Sequence, residues 1–285
     1  MKTQKPVVIG IGELLWDMLP GGRRAGGAPV NFVYHASCLG AEGHAISAVG
    51  NDDDGEEIIR ELGRNGINYW VPKVDFPTGY VPVTLRDGIP SYVITENVAW
   101  DYIPLTEEAV SLVKRADAIC FGTLAQRSKT SRETINALIG LTPAEALRVF
   151  DINIRQHYYS KELIEASLRK ASVFKINDEE LVLLCDLFCL GSDNEKACRF
   201  LLDTFRLSHL ILTAGSEYST VYTSDIVSTI PTPRVKVLDT VGAGDSFTGA
   251  FIYSLLTGMN VKEAHEQAVK TAAFVCTQAG AWVTY

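Results

Sequence analysis

Apolar runs of strand length recur along the chain: VVIGIG (7–12), AISAVG (45–50), DAICFG (117–122), LRVFDIN (147–153), SVFKIN (172–177) and HLILTAG (209–215). Helix-patterned stretches lie between them, including APVNFVYHASCL (28–39), GEEIIRELGRNG (55–66), TEEAVSLVKRA (106–116) and SKELIEASLRKA (160–171). A strand that is apolar along its whole length needs cover on both faces, and alternating helices supply it. The pattern predicts an α/β fold with a mainly parallel central sheet covered on both sides.

One stretch breaks this rhythm. Residues 78–103, TGYVPVTLRDGIPSYVITENVAWDYI, show no helix pattern. Val81, Val83 and Leu85 alternate with other residues, Arg86-Asp87-Gly88 reads as a turn, and Tyr92 and Ile94 alternate again. This is hairpin periodicity. Such an excursion either covers a site or forms an edge hairpin. No repeat, low-complexity segment or linker composition divides the chain. Residues 1–285 are therefore expected as a single domain with a small β lid, formed mainly by 78–103 with a short contribution from 16–26.

Composition excludes some functions. The net charge of −8 over 285 residues argues against nucleic acid or an anionic membrane as the main partner. No apolar run approaches the roughly 18 residues of a membrane span. PVVIGIG is followed by Glu13 and Asp17 with no small-residue cleavage site, so it reads as a buried strand and not as a signal peptide. The six cysteines form no C-x-x-C pair, which suits free thiols in a cytoplasmic protein.

Near the C-terminus stands DTVGAGDSFTGAF (239–251). RVKVLD (234–239) alternates like a strand before it. Phe247, Ala250, Phe251, Ser254 and Leu255 then recur at helical spacing, and Gly258 offers a C-cap. Gly242-Ala243-Gly244-Asp245 is thus expected at a strand-to-helix turn. Helix N-termini carry unpaired N–H groups and partial positive charge, and glycines let a ligand come close. The turn is suited to a phosphoryl group. Asp245 beside it can accept the proton of an attacking hydroxyl, or it can simply cap the helix. The Walker pattern is absent, and neither Gly10-Ile11-Gly12 nor Gly242-Ala243-Gly244 continues into a dinucleotide-binding fingerprint.

DTVGAGDSFTGAF resembles the C-terminal motif of the PfkB-type, or ribokinase-like, carbohydrate kinases. GGAPVNFVYHASCLGAEGHAISAVGNDDDGEE (26–57) is similar to their N-terminal pattern, and PTGYVPV, FDINIR, KINDEE and LTAG follow the family's order. The resemblance covers essentially the whole chain. GEL–D, GGAPVNF, AWD and FDINIR look most like fructokinases and their near relatives. It implies a ribokinase-like three-layer α/β/α fold with a small β lid. It also implies transfer of the γ-phosphate of ATP to a sugar hydroxyl with Mg2+, and it leaves K+ open.

Carried over position by position, the resemblance makes Asp245 the base and Gly242, Ala243 and Gly244 the anion hole. Asp17, Gly26, Gly27 and Asn31 match sugar-contacting positions. Arg155, ending D-x-N-x-R with Asp151 and Asn153, would steady the transferred phosphate; a salt bridge is the alternative. Asn177 and Glu180 match an N-x-x-E motif linked to magnesium and phosphate placement; Asn177 could instead only cap the following helix. Thr213 and Gly215 match nucleotide contacts, although TAGSEYS departs from the family's glycine spacing. Asp239, Val241, Val275, Gln278, Gly280 and Thr284 fall where relatives bind a monovalent cation. Arg23 and Arg24 read as a solvated loop, with a phosphate on the substrate as the alternative. The expected activity is an ATP-dependent sugar kinase making fructose 6-phosphate from fructose. The alternatives are a related kinase for another sugar, a nucleoside or a keto-acid, and, from other classes, a non-catalytic sugar-binding protein or a dinucleotide-binding oxidoreductase. The expected partners are the sugar and ATP, with a homodimer through the β lid.

Overall fold

The computed structural model describes residues 4–19, 22–86 and 89–285. Among these, a nine-stranded sheet runs in the order Val227–Pro231, Tyr218–Tyr222, His209–Ala214, Val173–Asn177, Leu147–Asp151, Ala118–Phe121, Val7–Ile11, Glu42–Ile46, Asn68–Trp70. Every pair from His209–Ala214 to Asn68–Trp70 is parallel, and Tyr218–Tyr222 and Val227–Pro231 extend the sheet antiparallel. Each apolar run singled out above contributes a strand. AISAVG is split, with Ala45 and Ile46 ending one strand and Val49–Gly50 forming another.

Successive residues of these strands enter opposite cores. Val8, Cys120, Val149, Val173 and Ile211 pack with Val30, Phe32, Phe247 and Phe251 of helices Ala28–Leu39 and Ala243–Leu256. Ile9, Phe121, Phe150, Phe174 and Leu210 pack with Ile135, Ile164 and Leu181 on the other face. Phe121, Phe150 and Phe174 form a stacked ladder with centroids 5.3 and 5.5 Å apart. The two-residue period of a strand is what sorts these side chains into two layers. Helix starts follow capping chemistry: Asp52, Thr106 and Ser160 each accept a backbone N–H of the first turn. Asp52 moves the second long helix to Asp53–Arg64, two residues ahead of the expected stretch. No helix among the described residues is long and apolar enough to cross a membrane.

A separate four-stranded sheet has the order Gly22–Gly26, Leu15–Leu19, Gly79–Arg86, Ile89–Tyr92. The expected hairpin in 78–103 is present in its two strands, but the Asp87-Gly88 turn lies outside the described residues. The segment 15–26 gives more than a short contribution, because it supplies two of the four strands. Residues 78–103 are also not free of helix: Ala99–Tyr102 forms a single 3-10 turn around the buried Trp100.

The strand expected over RVKVLD is absent. Val237 and Leu238 are 57% and 68% exposed. The sheet already ends at Val227–Pro231, so the alternation has no neighbouring strand to satisfy it. The segment's end is tied down by hydrogen bonds from Leu238 N (2.8 Å) and Asp239 N (3.4 Å) to the Cys276 carbonyl and from Gly280 N to Asp239 Oδ2 (2.9 Å). Gly242 therefore sits at a coil-to-helix junction.

Val7–Ile11 lies between Glu42–Ile46 on one side and Ala118–Phe121 on the other. The sheet extends from this strand in opposite directions, and at such a point the crevice outside the C-terminal ends of the strands is where open α/β sheets are expected to bind ligands.

Candidate active site

The crevice opens at Gly12-Glu13, directly after the first strand. The chain returns to it at Gly27, which precedes helix Ala28–Leu39 with φ 130°. A Cβ on Gly27 would lie 2.1 Å from the Glu13 carbonyl oxygen. Both the dihedral and the contact demand glycine. Gly27→Ala is expected to cost about 1–3 kcal/mol from the backbone angle, plus whatever the clash adds. Urea denaturation measures it, and a loss within error would show that the loop relaxes freely.

Helix Ala28–Leu39 crosses helix Ala243–Leu256 closely. A Cβ on Gly249 would come within 2.8 Å of the Phe32 carbonyl oxygen. This approach brings together residues 214 positions apart: Asn31 Nδ2 donates to Asp245 Oδ2 at 2.8 Å. Trp282 Nε1 donates to Asn31 Oδ1 at 2.9 Å. Asn31, read from sequence as a sugar contact, thus has one end of its amide on Asp245 and the other on Trp282.

Burial pushes the Asp245 carboxyl up to about 6, and the nearby Asp151 charge adds to this. Asn31, Lys175 and Arg155 work in the opposite direction. Gly242 has φ 77° and accepts the first helical bond, from Ser246 N at 2.8 Å. Ala243 N donates to the Thr240 carbonyl at 3.2 Å. Of the expected anion-hole residues, Ala243 is therefore already engaged, while Gly244, and the base candidate Asp245 after it, hold N–H groups the helix itself does not use.

A lysine completes this turn. Lys175 Nζ lies 3.2 Å from Asp151 Oδ1, and a Cβ on Gly244 would stand 3.2 Å from the same ammonium. Burial opposes its charge, but Asp151, Glu180 and Asp245 outweigh burial and raise its pKa. A fixed cation thus sits beside the glycine turn. On the other side, Glu13 is 3% exposed. Its Oε1 accepts from Ala28 N at 3.2 Å, and its Oε2 is buried without a partner. Burial pushes this carboxyl up to about 7, and the Asp245 charge contributes.

Asp17 lies on strand Leu15–Leu19 opposite Arg24, and a Cβ on Gly26 would be 3.1 Å from its Oδ2. Burial raises its pKa and Arg155 opposes the rise. Arg155 is exposed, and its charge acts on Glu13, Asp17 and Asp245 alike. Asp151, Asn153 and Arg155 do not act as one cluster: Asp151 is in the buried ion pair, and Asn153 holds a left-handed turn at φ 40°.

Asn177 and Glu180 form a reciprocal cap. Asn177 Oδ1 accepts from Glu180 N at 2.7 Å, and Glu180 Oε2 accepts from Asn177 N at 2.9 Å. Glu180 Oε1 accepts from Ile154 N at 2.8 Å. Burial raises the Glu180 pKa. The capping alternative for Asn177 is therefore the geometry found. Among the described residues no group of three or more His, Cys, Asp or Glu side chains could hold a metal. An ion beside Glu180 would take most of its ligands from other oxygens, as magnesium commonly does.

Thr213 neighbours Asn177 across the parallel sheet. Gly215 turns left-handed at φ 47°, and Glu217 N donates to the Ala214 carbonyl at 2.8 Å. TAGSEYS is thus a tight hairpin turn that sends Tyr218 straight into the next strand. At the C-terminal loop, Asp239 Oδ1 accepts from Val241 N at 3.1 Å and Oδ2 from Gly280 N at 2.9 Å. The Val275 carbonyl accepts from Gln278 N at 2.9 Å, and Thr284 is exposed.

Glu13, Lys175 and Trp282 escaped the sequence reading. Lys175 carried a signal, since a lone charge interrupts the apolar run VFKIN. Glu13 carried the same signal at the end of the first strand. Nothing local marks Trp282, whose partner is 251 positions away.

These features place the chain beside known proteins. The model of the pfkB family of carbohydrate kinases matches residues 21–284. A fructokinase of Rhizobium leguminosarum bv. trifolii is 28% identical, with 93% of this chain and 86% of that protein covered. The crystal structure of an uncharacterized sugar kinase from Pyrococcus horikoshii superposes with a TM-score of 0.82 at 27% identity, covering 97% of this chain and 93% of that one. A fructokinase from Xylella fastidiosa with bound ATP gives 0.85 at 22% identity, covering 98% and 94%. The chain belongs to the pfkB family of carbohydrate kinases, and its fold is ribokinase-like.

Proposed function

We propose that this kinase moves the γ-phosphate of ATP to a hydroxyl of a small sugar, with Asp245 as the base. The observation that carries the reading is the Asp245 carboxyl itself. It stands at a glycine-rich helix N-terminus, oriented by Asn31 and flanked by the Lys175 ammonium. Asp245 takes the proton of the attacking hydroxyl while Gly242, Gly244 and Lys175 hold the transferring group's charge. Asp17, Gly26 and Gly27 line the sugar side, with Asn31 holding the base. Thr213, Gly215 and Asn177, at the carboxyl ends of adjacent strands, form the nucleotide side. Arg155 screens the carboxyls and meets the phosphate. Magnesium, which when bound neutralises phosphate charge, would be held by Glu180 through water. The four-stranded sheet acts as the lid and as the surface for a homodimer.

Fructose is the leading substrate, supported by the fructokinase-like motifs and by fructokinase relatives. A coupled ADP-release screen over fructose, ribose, other hexoses, nucleosides and phosphorylated sugars tests it. Fructose should give the highest kcat/KM; a better phosphorylated sugar or nucleoside would move the substrate assignment, and no turnover of any sugar would remove the activity.

The pH dependence follows from Asp245. Only the ionised carboxylate accepts a proton, and its pKa is about 6. kcat/KM should fall about tenfold per pH unit below that value. The Asn31 hydrogen bond lowers this pKa, so Asn31→Ala should move the acid limb upward. A limb that stays in place in that variant would detach the profile from Asp245.

A further inference from the structure

Arg24 is exposed, as expected of a solvated residue, but it does not lie in a loop. It is on strand Gly22–Gly26, and its Nη1 lies 3.3 Å from Asp239 Oδ2. Gly280, at φ 83°, is the residue over which the guanidinium rests: a Cβ there would be 2.6 Å from Nη1 and 3.3 Å from Cζ. The neighbouring residue, Ala281, packs directly on the catalytic turn, with its Cβ 2.8 Å from where a Cβ on Gly242 would stand. A positive charge on Asp239 thus acts one residue away from the glycine helix start.

A bare monovalent ion would need this loop's oxygens. The Asp239 carboxylate accepts from Val241 N on Oδ1 and from both Gly280 N and Arg24 on Oδ2. The Val275 carbonyl accepts from Gln278 N. Asp239 is the one charged group of this set, and its carboxylate already faces the full positive charge of Arg24. The residues present do not fit a potassium site as they stand.

We propose that the Arg24 guanidinium is the resident cation of the Asp239–Gly280 loop, so that this protein works without potassium. The charge is tethered to the four-stranded sheet and is always at hand. It balances Asp239 and holds residues 279–281 against Gly242. Arg24 is half-exposed, so the pair itself is a modest stabiliser, and its value lies in shaping the loop.

The test compares potassium chloride with tetramethylammonium chloride at equal ionic strength. It uses the full chain, Arg24→Ala and Arg24→Gln, and reads ADP release and, without substrates, the thermal midpoint. The parent should show equal rates and equal midpoints in both salts. Both variants should lose about fivefold or more in rate in tetramethylammonium, recover most of it in potassium, and gain a thermal shift from potassium alone. A parent that is activated and thermally shifted by potassium would overturn the proposal, as would variants that behave like the parent in both salts. The thermal readout needs no turnover, so it separates failure of this inference from failure of the kinase reading.

Discussion

Asp245→Asn is expected to slow turnover about 10²–10⁴-fold while both substrates still bind. Asparagine keeps the shape of the side chain and can still accept from Asn31 Nδ2, so the 2.8 Å contact between the two helices survives. What it loses is the ability to take a proton. The variant should also unfold no more easily than the parent. Burial is the main cause that lifts this carboxyl to about 6, and Asp151 adds to it. A group whose folded pKa exceeds its unfolded value of 3.8 binds protons more tightly when folded. Its contribution is fully present below about pH 4 and is lost as pH rises through about 6. At neutral pH the parent therefore carries a buried charge that works against folding, and asparagine removes it. Catalytic groups held in such environments commonly trade stability for function. Steady-state ADP release and calorimetric binding read the first effect, and a thermal melt reads the second. Near-normal turnover would end the base assignment.

Arg127→Met should produce the largest loss of stability, about 3–5 kcal/mol. Arg127 and Asp101 are 7% and 5% exposed, and their side chains pair twice at 2.8 Å, through Nε and Nη2. The guanidinium also lies between the rings of Trp100 and Tyr158, 4.0 and 4.6 Å from their centroids, and donates to the Thr95 carbonyl. Methionine fills part of the space but leaves Asp101 buried without its partner. A buried pair is weak evidence for net stability, yet removing one half is costly because the other charge stays in place. The cluster joins the segment after the second sheet to the main body, since Trp100 also packs on Gly79, where a Cβ would sit 2.3 Å from Nε1. Urea denaturation gives the number. A loss no greater than that of Arg64→Met, whose side chain lies on the surface beside Glu57 and Glu61, would show that the cluster is decorative.

Much of the architecture was written in periodicity. VVIGI and AICF are apolar on both faces and buried throughout, and LRVFD and VFKIN are buried along most of their length. The same logic misled at RVKVLD, because alternation shows that a segment could pair, not that a partner strand is present. The four helix-patterned stretches 28–39, 55–66, 106–116 and 160–171 each begin within two residues of an observed helix start. The 15–26 strand pair leaves a weak sequence signal because its strands are short and include Gly22, Arg23 and Arg24 on an exposed edge.

The candidate site was legible where one motif carries both the geometry and the chemistry, as in Gly242-Ala243-Gly244-Asp245. It was illegible where contacts span the chain. Asn31 meets Asp245 only because Gly249 lets two helices approach. Trp282 and Arg24 reach the same region from opposite ends of the sequence. Spacing along a chain does not encode such meetings; packing of the finished layers does.

A crystal structure of the protein with its preferred sugar and a non-hydrolysable ATP analogue tests the base assignment most directly. The account predicts an Asp245 carboxylate oxygen about 3 Å from the acceptor hydroxyl, with the γ-phosphate against the N–H groups of Gly244 and its neighbours. A hydroxyl held by another side chain, with Asp245 still turned to Asn31 and out of reach of both substrates, would contradict it.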